Sequence, residues 1–440
     1  MYSSVCYPRE LSTHLGTQTS VTTKNIIDTI QPLVEDHFES AADDEFVPGE
    51  SVIRLSRPTF GADEVIESLE SLLSTYVTMG EKVAEFESAW ADYIDTNHAH
   101  MVNSGSSANL LALKSLEGDV IEPDDEVIVP AVAWSTSLFP VLDVNATPVL
   151  VDVDPDTYTL DVDAFAEAIT DQTAAVVLVH LLGNSCDMDP ILELCEEHDI
   201  AIVEDCCEAH GAAYNDQKVG TFGDVATYSF FFSHHITTIE GGMVVTDNEQ
   251  RSERIRMGRA HGWVRELDDT DELIEENPDI DPRFLFANEG YNLRPTEIQG
   301  AFGIHQLPKL DTFVEQRREN AATLTSRLSG HDDLKLFEPE SKSYCSWFAY
   351  PIQVREAADF TRDDLQQHLE DNKIETRPIL AGNLARQPVL DHIDHRVEGE
   401  LDGAQAVHDN GLFIGNHHRL TEEKIDYIVS TVEEFIGSKE

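Results

Sequence analysis

Five short runs of apolar, β-branched residues, EVIVPAVA, TPVLVDVD, AAVVLVHL, IAIVEDCC and GGMVVTD, alternate with stretches whose apolar residues recur at helical spacing. This alternation predicts an α/β domain built on a largely parallel sheet. In open sheets of this kind the functional loops gather at the carboxyl ends of the strands. The polar motifs of this chain stand in those places.

At 440 residues the chain exceeds what one core usually holds, and its texture divides it into three. Residues 1–50 form a polar, acidic extension ending in ESAADDEFVPGES, with one amphipathic helix expected around Ile26 to Phe38. Residues 51–310 form a large domain that opens on two helical patterns, EVIESLESLLSTYV and KVAEFESAWADYI, joined by Thr78-Met79-Gly80. Residues 311–440, with FVEQRRENAATLTSRL, WFAYPIQV, DLQQHLEDN and EEKIDYIVSTVEEFI, read as a smaller α+β domain.

Charge narrows the partners. The chain carries 84 Asp and Glu against 29 Lys and Arg, a formal net charge of −55, so nucleic acid and anionic membranes are not expected partners. The acids are spread along the whole chain, as a surface adapted to strong salt screening requires, and a halophilic cytoplasm is the expected setting. The opening MYSSVCYPRELSTHLG lacks the apolar core of a signal peptide, and no run of about 18 apolar residues occurs. Cysteines at 6, 186, 195, 206, 207 and 345 form neither a CxxC pair nor a disulfide framework, which fits a reducing compartment.

The chemistry is concentrated in a few motifs. In HMVNSGSSANLLALKSL, Gly105 and Ser106 stand at the mouth of a helix whose apolar face begins at Leu110. Unpaired amides at such a mouth, with small side chains allowing close approach, cradle phosphate; the same residues also cap helices that bind nothing. Trp134 directly follows EVIVPAVA and offers either a flat face for a planar cofactor or an ordinary core side chain. Asp205 closes an apolar run, where an acid must pair or reach a cleft, and Glu208 follows three residues later. From Tyr228 to Asp247, YSFFFSHHITTIEGGMVVTD reads as a strand-like run, a polar centre with His234 and His235, a Glu-Gly-Gly turn and a second strand.

Taken in order, SGSSANLLAL, the Trp134 position, VEDCCEAHGA, SFFFSHHITTIEGGMVVTD, GYNLRPTEIQGAFGIHQL and ETRPILAGNL resemble the DegT/DnrJ/EryC1/StrS family of sugar aminotransferases, a branch of the fold-type I pyridoxal-phosphate enzymes. The resemblance implies pyridoxal or pyridoxamine 5′-phosphate as cofactor. It further implies that Gly105, Ser106 and Ser229 hold the phosphate, Trp134 stacks on the ring, Asp205 pairs with the ring nitrogen and Glu208 lies near the ring hydroxyl. Asn292, in GYNLRP, would reach the phosphate of a neighbouring subunit, so the resemblance implies a homodimer.

One position departs from the aminotransferase pattern. Five residues after Ser229 the family has lysine, and here stands His234. Lysine bonds the cofactor covalently and moves a proton, whereas imidazole, titrating near neutrality, does only the second. The combination resembles the family's sugar 3-dehydratases. One group of these carries an iron–sulfur cluster on four cysteines after the histidine segment; beyond His234 this chain has only Cys345, so no cluster is expected. The other, the GDP-4-keto-6-deoxymannose 3-dehydratase branch, regenerates pyridoxamine phosphate from L-glutamate, whose carboxylate Arg294 or Arg377 would clamp. The resemblance therefore implies a nucleotide sugar and L-glutamate as substrates and His234 as the base. An aminotransferase with another base, and an inactive relative acting as a binding or regulatory subunit, are the alternatives.

Overall fold

The computed structural model describes residues 22–40 and 45–439; Cys6 and the opening segment lie outside the described residues. Seven strands of the principal sheet are β1 (His98–Val102), β2 (Glu126–Pro130), β3 (Thr147–Val151), β4 (Thr173–Val179), β5 (Ala201–Asp205), β6 (Val225–Ser229) and β7 (Gly242–Thr246). They lie in the order β1, β7, β6, β5, β4, β2, β3, and the two-residue strand Arg396–Val397 adds to the far edge. From β6 to that edge all neighbours are parallel, and β7 alone runs against both of its neighbours. The five apolar runs are five of these strands.

Every residue of β2, β5, β6 and β7 is buried, as expected where helices cover both faces of a parallel sheet. Each large aliphatic side chain withdrawn from water there contributes about 1.5–3 kcal/mol. The strand-like run at Tyr228 stops at Ser229: Phe230 continues into the core, but Phe231 and Phe232 turn out to solvent. β1, with two histidines in HAHMV, gave no apolar run to read.

A second, four-stranded antiparallel sheet follows, in the order Leu334–Leu336, Tyr350–Val354, Gly411–Ile414, Thr376–Pro378. The helices Leu310–Leu328, Arg362–Asp371 and Glu422–Gly437 accompany it. One apolar cluster runs without a break from Val102, Leu111 and Val129 of the large sheet layer to Ile352, Leu412 and Val432. Arg396 ties the later part of the chain to the large sheet, placing Nε and Nη2 at 2.7 and 2.8 Å from the two carboxylate oxygens of Glu126. A bidentate pair of this kind fixes orientation as well as distance.

The helix Thr23–Ser40 covers the expected Ile26 to Phe38 segment and rests on the large layer through Phe38, Phe60 and Phe302, with ring centroids 6.2 and 5.3 Å apart. Among the described residues no helix is long and apolar enough to cross a membrane.

Candidate active site

The carboxyl ends of β1, β2, β5 and β6 open on one side of the sheet, and β7 starts there because it runs backwards. After β1, Ser104 caps the helix Gly105–Lys114 by accepting the Ser107 amide at 3.1 Å. The mouth of this helix presses on the end of β6: a Cβ at Gly105 would lie 2.5 Å from the Ser229 Cβ. It presses equally on β7, where a Cβ at Gly242 would meet the Ser104 carbonyl oxygen at 2.4 Å. Close approach explains both glycines. The result is a cleft in which helix-terminal amides, the exposed Ser106 and the buried Ser229 surround one spot, a cradle suited to phosphate.

Asp205 ends β5, 5% exposed. Its Oδ2 accepts from Asn109 Nδ2 at 2.9 Å and Ser137 Oγ at 2.7 Å, and its Oδ1 from the Cys207 amide at 3.1 Å. Among the described residues no cationic side chain forms an ion pair with it, although it lines the cavity. A buried carboxylate held by neutral donors and open on one side fits a ring N–H⁺ as its missing partner. Glu208 accepts the Leu182 amide at 3.1 Å; burial, aided by the Asp205 charge, pushes its carboxyl up to about 8. Trp134 is not a core residue: it precedes the helix Ser135–Asp143 and is 56% exposed on the cavity wall.

The connection from β6 to β7 carries His234. Its turn is closed by the Phe230 amide on Gly241, the His234 amide on Phe231 and the Thr238 amide on Phe230, at 2.9, 3.0 and 2.9 Å. The half-buried imidazole lines the cavity, with Nδ1 shielded and lacking a hydrogen bond, and packs 5.2 Å from the Phe348 ring. Its titration departs from the near-neutral value expected for an imidazole. Burial, reinforced by the Arg317 charge and partly opposed by the Cys207 backbone, brings it down to about 4. The ring is therefore a neutral base through the physiological range. His235 points inward, fully buried, with Nε2 3.0 Å from the Ser346 carbonyl and Nδ1 3.4 Å from His210 Nδ1.

Gly105, Ser106, Trp134, Asp205, Glu208, Ser229 and His234 thus line one cavity of about 400 Å³, which contains no lysine among its lining residues. Three site residues from the sequence lie elsewhere. Asn292 is exposed, its Oδ1 accepting from Arg294 Nε at 3.1 Å; Arg294 borders another cavity of about 680 Å³ with Tyr76, Thr78 and Arg265. Arg377 projects from an edge strand, exposed, with Nη1 on the Thr376 carbonyl at 2.7 Å. Sequence reading missed Asn109, Ser137, Phe348 and Arg317. Only Asn109 carried a signal, a buried amide among the apolar residues of NLLAL.

His180, Glu204 and Cys206 lie within 4.8 Å of one another and have metal-ligand chemistry, but the histidine and the glutamate are committed to hydrogen bonds of the fold. His180 Nδ1 accepts the Cys186 amide at 3.1 Å, so Nε2 carries the proton and faces Glu204 at 3.0 Å. Glu204 also accepts the amides of Gly220, Phe222 and Gly223 at 2.7, 2.8 and 2.7 Å.

Comparison with known proteins agrees with this architecture. Residues 59–433 match the DegT/DnrJ/EryC1/StrS aminotransferase family. A Yersinia pseudotuberculosis protein named GDP-4-keto-6-deoxy-D-mannose 3-dehydratase is 41% identical over 359 residues, 80% of this chain and 91% of the relative. Its namesake from Escherichia coli O55:H7 is 38% identical over 369 residues, 82% and 95% of the two chains. A crystal structure of GDP-4-keto-6-deoxymannose-3-dehydratase with a trapped PLP-glutamate geminal diamine superposes with a TM-score of 0.81 at 36% identity, covering 86% of this chain and 100% of that one. Over nearly its whole described length, in sequence and in fold, the chain belongs to the DegT/DnrJ/EryC1/StrS family.

Proposed function

We propose that the protein removes the 3-hydroxyl of a 4-keto-6-deoxy nucleotide sugar with pyridoxamine phosphate, which L-glutamate regenerates, in the biosynthesis of deoxysugars for surface polysaccharide. The observation that carries this reading is a neutral imidazole, His234, at the family's lysine position beside an intact Asp205 and phosphate cradle. When bound, the cofactor supplies an electron sink for a carbanion next to its ring. The chain's own residues do the rest. Gly105, Ser106 and Ser229 hold the phosphate, Trp134 covers the ring face, and Asp205 accepts from the ring N–H⁺. Glu208, largely protonated near neutral pH, faces the ring hydroxyl.

His234 is the base in both half-reactions. It takes a proton from glutamate's α-carbon when the amine is loaded, and from the cofactor methylene when the sugar's hydroxyl leaves. It cannot anchor the cofactor covalently; loss of the hydroxyl leaves the sugar nitrogen on an enamine carbon, and water hydrolyses this to the keto group and ammonia. A second copy of the chain completes the site with Asn292 and Arg294, which explains why neither lines this chain's own cavity; Arg377 is the other candidate for the glutamate carboxylate. The relatives' names favour a GDP-linked sugar. The acidic surface supports a salt-rich cytoplasm, and Cys345, buried with its thiol pushed up to about 12, offers no start for a cluster.

The test is incubation of the protein in concentrated KCl with pyridoxal phosphate, L-glutamate and GDP-4-keto-6-deoxymannose. Formation of 2-oxoglutarate, ammonia and a 3-deoxy product by mass spectrometry is expected. A product that keeps nitrogen would replace the reading with aminotransfer, and cofactor binding without either product would leave a binding subunit. Borohydride should fix cofactor to His234→Lys and not to the wild type.

A further inference from the structure

The long helix Leu310–Leu328 buries a guanidinium, Arg317, that is 2% exposed and has no carboxylate partner among the described residues. Buried arginines are ordinarily paired with an acid. Here Nη1 donates instead to the carbonyls of Phe348 at 2.7 Å, of Trp347 at 3.4 Å and of Asn416. The neighbouring carbonyls are also taken: Arg318 donates to Cys345 at 2.8 Å, and His235 Nε2 lies 3.0 Å from the Ser346 oxygen. All four carbonyls from Cys345 to Phe348 are thus gripped by two consecutive arginines and a histidine of the β6–β7 turn. The amides of Ser346 and Phe348 are tied to the Gly183 and Leu182 carbonyls, each at 2.9 Å. Phe348 at the end of this segment lays its ring 5.2 Å from His234 and 5.9 Å from His235.

We propose that Arg317 is a positioning residue for His234: by clamping the Trp347–Phe348 carbonyls it holds the Phe348 ring against the imidazole, and its own charge stays uncompensated. The inference rests on His234 being the base.

Titratable groups surround His234 from several elements: the end of β5 and the segment after it bring Asp205, Cys207, Glu208 and His210, its own turn brings His235 and Glu240, and the helix Leu310–Leu328 brings Arg317, whose charge acts on the imidazole. Burial drives His210 and His235 well below the ordinary imidazole range, and His234, His210 and His235 are all pushed down further by the Arg317 charge. Arg317 itself is brought down to about 9 by burial and is still charged at neutral pH. With a carboxylate beside it, that charge would be spent locally; left unpaired, it opposes a second positive charge on the imidazole.

The probe is diethyl pyrocarbonate, which acylates neutral imidazole, applied to the full chain freed of cofactor, with modification of the His234 peptide followed by mass spectrometry. The wild-type rate at pH 5.5 should stay close to that at pH 7.5, while the profile of Arg317→Met should bend at a higher pH than the wild type's, since burial stays in place and only the charge is removed. Arg317→Lys keeps the charge on a shorter side chain that cannot reach all three carbonyls: the pH profile should stay flat while kcat falls about tenfold with KM little changed. A methionine variant with the wild-type profile overturns the electrostatic role. A lysine variant with wild-type kcat overturns the positioning role, and should the methionine variant not fold, the lysine variant decides alone, a profile that bends at acid pH also counting against the proposal. Acylation needs no turnover, so failure of the dehydratase reading would appear in the product assay and leave this profile readable.

Discussion

Replacing Asn109 by leucine tests whether the carboxylate at the end of β5 is held by its surroundings. The side chain is 5% exposed and makes three bonds: Nδ2 to Asp205 Oδ2 at 2.9 Å and to the Thr136 carbonyl at 3.0 Å, and Oδ1 from Thr227 Oγ1 at 2.5 Å. The bond to the charged acceptor contributes about 1.5–3 kcal/mol and each neutral bond about 1 kcal/mol. Leucine has a similar volume and leaves no large cavity, and its burial returns about 1.5–3 kcal/mol. The net expectation is a loss of about 2 kcal/mol. Urea unfolding at fixed salt and protein concentration measures it, since association with a second copy would otherwise shift the midpoint. Cofactor affinity should fall about tenfold as well, because Asp205 keeps only Ser137 and one amide to aim it. A variant within about 0.5 kcal/mol of wild type, with unchanged cofactor affinity, would refute the reasoning.

Gly105→Ala should leave the fold in place but weaken cofactor binding at least about tenfold, since its methyl meets Ser229 at 2.5 Å and must push the cradle apart; absorbance titration with pyridoxal phosphate reads this. Glu208 binds its proton more tightly in the folded chain, at about 8 against an ordinary 4.5, so the stability it contributes is complete below about pH 4.5 and is lost as pH rises to 8. Glu208→Gln should therefore flatten the decline in apo-protein stability between pH 5 and 8, and an unaltered slope would count against the protonated carboxyl. With a formal net charge of −55, the melting temperature should climb steadily from 0.1 to about 2 M KCl; a flat response would remove the case for salt adaptation.

The legible part of the site was the part written in local order. Asp205 and Ser229 close strands, Gly105 and Ser106 open a helix, and His234 sits in a turn between two strands, so each follows from its position in an α/β chain. The supports were illegible for the opposite reason. Asn109 and Ser137 meet Asp205 across 96 and 68 residues, and nothing in the short stretch around either records that encounter. Asn292, Arg294 and Arg377 matched motifs but stand away from this chain's cavity, because a motif gives a residue's identity without its place in the packed chain.

What the sequence by itself determined is the alternation that makes the sheet, the strand-end residues that face one cleft, and the substitution of imidazole for lysine. Tertiary structure alone decided the protonation of that imidazole. An isolated histidine titrates near neutrality; this one is brought down to about 4 because folding buries it and sets the charge of Arg317, from a distant helix, behind it. Burial and the approach of charges distant in the chain are properties of the packed molecule, and they determine whether the residue at position 234 arrives as a base or as a cation.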